Sequence, residues 1–474
     1  MSLRFLCQLR FLRQGAMLGS LALLHGWCAA EESKPMVVHE WGTFTALQDE
    51  RGSQLVGINV DTEPVPQFVH NLGRFILNDA VLSTQHWVHR QKAVPRNHPR
   101  VSLRLETPVI YFYPPTRMTL PQRLDVEVKF RGGWLTEFYP RPEVQFPVVE
   151  NGEFQFQNLT PATVGQITWR DLQVGTTEPG PETTEPVWLA PRKVAAASVT
   201  TPEGEHEKYL FYRGVANRSA PLQVVTADQG QSIEVWANFQ NLLEKDQSTT
   251  IENLWLLESR SDGTCAYRQL PKVVVTNDGK VPQRITALRK FGQAQFGKQN
   301  QAKLEAEMYA ALLRDGLFAD EAKALLSTWQ QAYFTSPGLR IFYTVPRAWT
   351  DFYLPLSISV KSEITRVMIG RVELISDHQR QLLSELEQTP LSDGKWLIDI
   401  PWDSPALKGL LAGRLPQTDI GVVIPKDFQI YLDLGRFRNA LVAAQQSRTR
   451  SSHLSNFIQT YELEPFRISQ TSGK

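Results

Sequence analysis

The sequence predicts an α+β protein of several domains, with a central antiparallel β-sandwich followed by a helical hairpin and a mixed α+β C-terminal region. Three observations carry this expectation. Residues 121–286 are dominated by short, alternating, aromatic-rich runs separated by turn signals. After about residue 300 the apolar period becomes helical, and beyond that strand-like and helix-like runs are mixed. A chain of 474 residues accommodates about two to four domains of ordinary size.

The first segment, 1–30, reads as a signal peptide. Arg4, Arg10 and Arg13 form a basic start, "AMLGSLALL" is a short apolar core, and Cys28-Ala29-Ala30 supplies small residues for cleavage. The apolar run is too short for the roughly 20 residues of a spanning helix. Residues 31–120 form a mixed N-terminal region. It opens on "VVHEWGTFT", Val37 to Thr45, whose β-branched and aromatic content favours a strand. In "PVPQFVHNLGRFILN", Phe68, Val69, Leu72, Phe75 and Ile76 predict a one-faced helix, with Asp61 and Glu63 before its start. "VSLRLETPVIYFY" predicts a strand broken or re-aimed at Pro108.

The sandwich, 121–286, is expected from "LDVEVKF", "WLTEFY", "EFQFQ", "QITWRDLQV", "KYLFYRGV", "SIEVWANF" and "NLWLLES". Arg131-Gly132-Gly133, Asn151-Gly152 and Ser261-Asp262-Gly263 are turn signals between them. The proline-rich stretch Thr176 to Pro186 reads as a surface loop. In the C-terminal region, 287–474, Leu304, Met308, Ala311 and Leu312 mark one helix. Ala322, Leu325, Leu326, Trp329 and Tyr333 mark the next, with Gly316 in the turn. "LRIFYTVP", "ITRVMIGRVELI" and "KWLIDIP" follow as strands, and "DHQRQLLSELEQ", "GRFRNALVAAQQS" and "SSHLSNFIQTYEL" as helices.

Composition narrows the function classes. Without the leader the chain carries 47 basic and 49 acidic residues, a balance of −2. No basic run points to nucleic acid, and no second apolar segment suggests a membrane span in the mature chain. Of three cysteines only Cys265 lies outside the leader. Intramolecular disulfides, thiolate zinc sites, iron-sulfur clusters and CxxCH haem attachment are therefore not expected. Cys265, just after a turn signal, reads as a strand residue rather than a nucleophile. Phosphate-loop, dinucleotide, GxSxG and EF-hand patterns are missing from the sequence.

The candidate chemistry sits in the N-terminal region. "HEWGT" departs from the HExxH zinc helix, because Thr43 replaces the second histidine and Gly42 opposes a helix. In a strand His39, Trp41 and Thr43 share one face while Glu40 and Phe44 share the other. His39, His70, His86, His89 and His98 fall within 60 residues. His39, His86 and His89 form a candidate three-nitrogen set for a divalent metal such as zinc or copper, with Glu106 or Asp61 as a carboxylate option. Glu40 and Glu106 are the candidate catalytic carboxylates: Glu106 could orient His39 across the sheet, or it could pair with Arg104 on its own face. His70 and His206 are expected to be solvated, and His98 to lie in an exposed loop.

"VVHEWGTFT", with "EPVPQFVH", "LETPVIYFY", "LFYRG", "GLRIFYTVPRAWTD" and "RVMIGRVEL", resembles a group of exported bacterial proteins of unknown function that share an HEWGTFT-type start. The resemblance implies that His39, Glu40, Trp41 and Glu106 belong to a recurring pattern, without assigning an activity. The sequence thus predicts an exported protein, periplasmic or extracellular, that is a periplasmic or envelope-associated binding or structural protein with an unknown ligand or envelope component as its partner. Its alternative is a metal-dependent hydrolase or oxidase built on the N-terminal histidines.

Overall fold

The computed structural model describes residues 34–60, 65–72, 90–91, 94–95, 97–115, 121–145, 159–328, 330–394 and 423–465. By internal contacts the chain divides into Met1–Lys34 and Pro35–Lys474, and the fold below is that of the second unit. The strands that build it are β1 (Met36–Gln48), β2 (Leu103–Tyr113), β3 (Gln122–Arg131), β4 (Gly133–Tyr139), β5 (Val164–Thr176), β6 (Leu210–Ala216), β7 (Leu222–Ala227), β8 (Ser232–Ala237), β9 (Leu254–Ser259), β10 (Cys265–Gln269), β11 (Ile285–Leu288), β12 (Gly338–Val345) and β13 (Ser362–Leu374). Among the described residues the α-helices are α1 (Pro186–Arg192), α2 (Asn300–Arg314), α3 (Ala319–Thr328), α4 (Arg347–Tyr353), α5 (Asp377–Gln388), α6 (Lys426–Asp433), α7 (Arg438–Thr449) and α8 (Ser452–Thr460). The chain is mixed α+β, as its sequence pattern predicts.

One large sheet dominates. Its path runs from the short strands His206–Glu207 and Ser198–Thr200 through β5, β4, β6, β2, β1, β13, β12 and β9 to β10. It draws strands from all three regions that the sequence sets apart. β7, β8 and β11 form a separate three-stranded sheet. β1 is an interior strand, antiparallel to β2 and parallel to β13. All but one of its residues are buried, because both of its faces are covered.

On one face, Trp41, Val109, Tyr111, Phe342 and Ile369 pack with Leu304, Met308 and Leu312 of α2 and Leu325 of α3. The residues of α2 expected to be apolar-facing are the ones it buries. Gly316, at φ +104°, makes the turn between α2 and α3. On the other face, Val38, Phe44, Ile110 and Met368 share an apolar cluster with Val224, Ile233 and Val235 of the three-stranded sheet. A third cluster gathers Leu47 with Leu383, Phe428, Leu441 and Phe457 of α5 to α8. α5 starts on a capping box: Ser376 Oγ accepts from the Gln379 N–H while the Gln379 side chain accepts from the Ser376 N–H.

Strand β2 is re-aimed at Pro108, not ended there. Thr107 adopts φ +46°, and the β1–β2 register shifts by one between Trp41 and Thr43. Gly42 lies opposite this bulge. A Cβ there would stand 2.9 Å from Pro108 Cα and 3.2 Å from Met368 Sδ, so only glycine permits the approach.

Some expectations for the loops change. Residues 65–71 form a turn and the two-residue strand His70–Asn71 on β4 in place of the start of the expected helix, and Leu72 is helical. Phe75 and Ile76 of that expected helix lie outside the described residues, as do "EFQFQ", Trp329 and "KWLIDIP". His70 is half-buried, 2.6 Å from Glu205. His98 is buried, not exposed: its backbone N–H donates to Asn59 Oδ1 at 2.9 Å and its ring meets Trp134 edge-on. His206 bonds Thr200 Oγ1 at 2.9 Å in a short strand pair.

Candidate functional site

The "HEWGTFT" strand places charge on both faces of the central sheet. Alternation along β1 puts His39, Trp41, Thr43 and Thr45 on one face, where His39 and Trp41 meet α3 and α2, and Glu40 and Phe44 on the other. Their neighbours follow from register. His39 stands opposite Tyr111 on β2 and Thr365 on β13, Thr43 opposite Glu106, and Thr45 between Arg104 and Arg371. Three buried polar groups result.

At the first, His39 Nδ1 lies 2.8 Å from Glu321 Oε2. Glu321, in the first turn of α3, is fully buried and also accepts from the Phe318 N–H at 2.7 Å and the Tyr113 hydroxyl at 2.8 Å. A glutamate reaching back to the N–H just before its own helix is one half of a capping box. The His39 ring packs on Phe318, centroids 4.5 Å apart, with Tyr113 edge-on at 5.3 Å. Facing a carboxylate, His39 Nδ1 is the donor of this bond. Burial and the Glu321 charge together push the Tyr113 hydroxyl far above its ordinary value.

On the opposite face, Glu40 is fully buried and accepts from Arg366 Nε at 2.5 Å and from the Tyr212 hydroxyl. Arg366 Nη1 continues to Asp351 Oδ1 at 2.9 Å. Burial works against the charge on Arg366, but Glu40, Tyr212 and Asp351 more than offset it and hold its guanidinium above the ordinary arginine value.

The third group lies on the His39 face, farther along the sheet. Glu106 pairs with Arg104, accepts from the Tyr333 hydroxyl, and stands 3.1 and 3.3 Å from Arg436 Nη2 through its two oxygens. Beside it, Glu373 Oε1 receives Arg371 Nε and stands 3.1 Å from Arg340 Nε. The Arg371 guanidinium lies over the Tyr333 ring at 4.3 Å. Burial lowers the Arg340 pKa to about 10; Glu373 opposes that shift, and the Arg371 and Arg436 charges add to it. For Glu373, burial raises the carboxyl, but Arg340, Arg371 and Arg436 outweigh it and leave it below the ordinary carboxylate value.

His39 and Glu40 therefore face opposite ways, as strand geometry requires. Glu106 does not orient His39. The bulge sets it against Thr43, where it pairs with Arg104, and the carboxylate that holds His39 comes from α3. His86, His89, Asp61 and Glu63 lie outside the described residues. Among the described residues no group of three His, Cys, Asp or Glu side chains is placed to hold a metal ion. Cys265 is a buried residue of β10, its thiol pushed up by burial and by Glu305.

Sequence reasoning missed Glu321, Arg366, Arg340, Arg371, Glu373 and Arg436. A signal for three of them exists: "RVMIGRVEL" carries Arg366, Arg371 and Glu373 inside an otherwise apolar strand, where a charge has to be paired.

No known protein family matches the chain, and no curated protein matches it. Similar solved structures include the Fcho1 Mu homology domain of Danio rerio with bound Eps15 peptide, at 8% identity, covering 73% of this chain and 96% of that one, with a TM-score of 0.27. The yeast delta-COP-I mu-homology domain is similar both in complex with a Dsl1 WxWxV peptide and without it. Each covers 72% of this chain and 97% of that one at 8% identity, with a TM-score of 0.23.

Proposed function

We propose that the chain is an exported binding protein, periplasmic or envelope-associated, whose layered sheets act as a sandwich-like scaffold with buried ion pairs set into apolar cores. The observation that carries this reading is the commitment of both candidate catalytic carboxylates. Glu40 and Glu106 are 0% and 1% exposed, and each is bonded to arginine and tyrosine donors. A carboxylate that transfers protons must reach its substrate within hydrogen-bond distance. These two instead tie distant strands and helices to β1 and β2. Among the described residues no helix is long and apolar enough to cross a membrane.

Native mass spectrometry of the full chain purified from the exported fraction tests the reading. A non-covalent adduct, lost on denaturation, is the expected result. A bare polypeptide mass under native conditions overturns it.

The His39–Glu321 pair favours a second reading, a metal-dependent hydrolase or oxidase. A metal-binding imidazole commonly donates its other N–H to a carboxylate, which is the role Glu321 plays at Nδ1. In this reading His39 Nε2 is the ligand, with His86 and His89 completing the set. Elemental analysis of the exported protein decides it. Stoichiometric zinc or copper that disappears in His39→Ala supports the enzyme, and a metal-free wild type removes it.

A further inference from the structure

The face of β1 that carries Trp41, Thr43 and Thr45 is a row of hydrogen-bond donors. All three residues are 0% exposed. Trp41 Nε1, Thr43 Oγ1 and Thr45 Oγ1 have no hydrogen-bond partner among the described residues, and neither does Arg371 Nη1. Thr45 stands in register with Arg371 on the adjacent strand β13, and Thr43 is the next residue of β1 on the same face, so the two threonines and Arg371 share one patch.

Arg371 is anchored from its other side. Its Nε donates to Glu373, its plane lies over Tyr333, and its side chain is 0% exposed. Arg340 leans on the same Glu373 oxygen, so two buried guanidinium groups share one carboxylate.

The chemistry of these atoms is one-sided. Indole and guanidinium nitrogens only donate, and a hydroxyl can donate. Buried donors left without acceptors are unfavourable, and so is an excess of buried positive charge. A small group that is negative and carries only acceptors answers both. Arginine meets oxyanions through directional, charge-assisted hydrogen bonds, which suits it to this role.

We propose that this patch binds a small oxyanion, with Arg371 as its charged partner and the Thr43 and Thr45 hydroxyls as donors from β1. This names a ligand class for the binding reading and rests on it.

The test measures the thermal midpoint of the full exported chain against inorganic phosphate, sulfate and acetate, at constant ionic strength balanced with chloride. A saturable rise is expected, with phosphate and sulfate marking a tetrahedral site and acetate a planar one. Arg371→Met should abolish the rise. Thr45→Val, close in shape, should weaken the apparent affinity about tenfold or more, the loss of one hydrogen bond to a charged group. In chloride alone Thr45→Val should raise the midpoint, because it removes a buried hydroxyl that has no acceptor.

No response to any of the three anions overturns the proposal. So does an equal response in the wild type and both variants, or a lowered midpoint for Thr45→Val in chloride. Should Arg371→Met fail to fold, Thr43→Val and Thr45→Val decide the matter. An adduct in the native mass spectrum that both threonine variants retain unchanged overturns this site and leaves the binding reading standing.

Discussion

Replacing Glu40 by glutamine tests whether the interior is organised by ion pairs. Glu40 is fully buried and the Arg366 side chain is 2% exposed, so the substitution leaves a guanidinium in the core without its nearest negative charge. Removing one partner of a buried pair costs about 3–5 kcal/mol, against about 0–1 for an exposed one. Two features keep the expected loss at the lower end. The glutamine oxygen can still accept from Tyr212, and Arg366 Nη1 keeps Asp351, whose side chain is 45% exposed. The loss should therefore be about 3 kcal/mol. Urea unfolding followed by tryptophan fluorescence reads it as a lower midpoint at unchanged slope. Adding Arg366→Met should recover part of the loss, since removing both charges is milder than stranding one. A loss below about 1 kcal/mol, or a double variant that is simply additive, would refute the buried-pair account.

Three further outcomes follow from named contacts. Gly42→Ala drives a Cβ to 2.9 Å from the Pro108 backbone and should destabilise by about 1–3 kcal/mol, read as a lower thermal midpoint. The folded Glu373 carboxyl lies below its ordinary value of 4.5, so its stabilisation is present above that pH and is lost as pH falls through the lower folded value. Glu373→Gln should accordingly cost stability at pH 7 and flatten the acid limb of a stability-against-pH curve. Cys265, buried and with its thiol pushed up, should resist iodoacetamide at pH 8 in the folded protein and react readily in urea.

Local periods account for what was legible in the sequence. β1 was readable from its residue types, and the opposed directions of His39 and Glu40 follow from a two-residue repeat alone. The buried stripe of α2 was equally local. The bulge was half visible: Pro108 announced that β2 is broken or re-aimed, but the one-residue shift that sets Glu106 against Thr43 depends on how β1 and β2 pair.

By itself, then, the sequence determined the mixed α+β character, the strand at "VVHEWGTFT" and the division of its side chains between two faces. Tertiary structure alone decided what those side chains meet. Glu321 lies 282 residues from His39, Arg366 lies 326 from Glu40, and Arg436 lies 330 from Glu106. Side-chain alternation reaches only two residues along the chain. Which strand lies beside which, and in what register, is set when the whole sheet closes over its cores. That step made the strand's outward rows into two buried polar faces, one bonded to Arg366 and the other aligned beside Arg371.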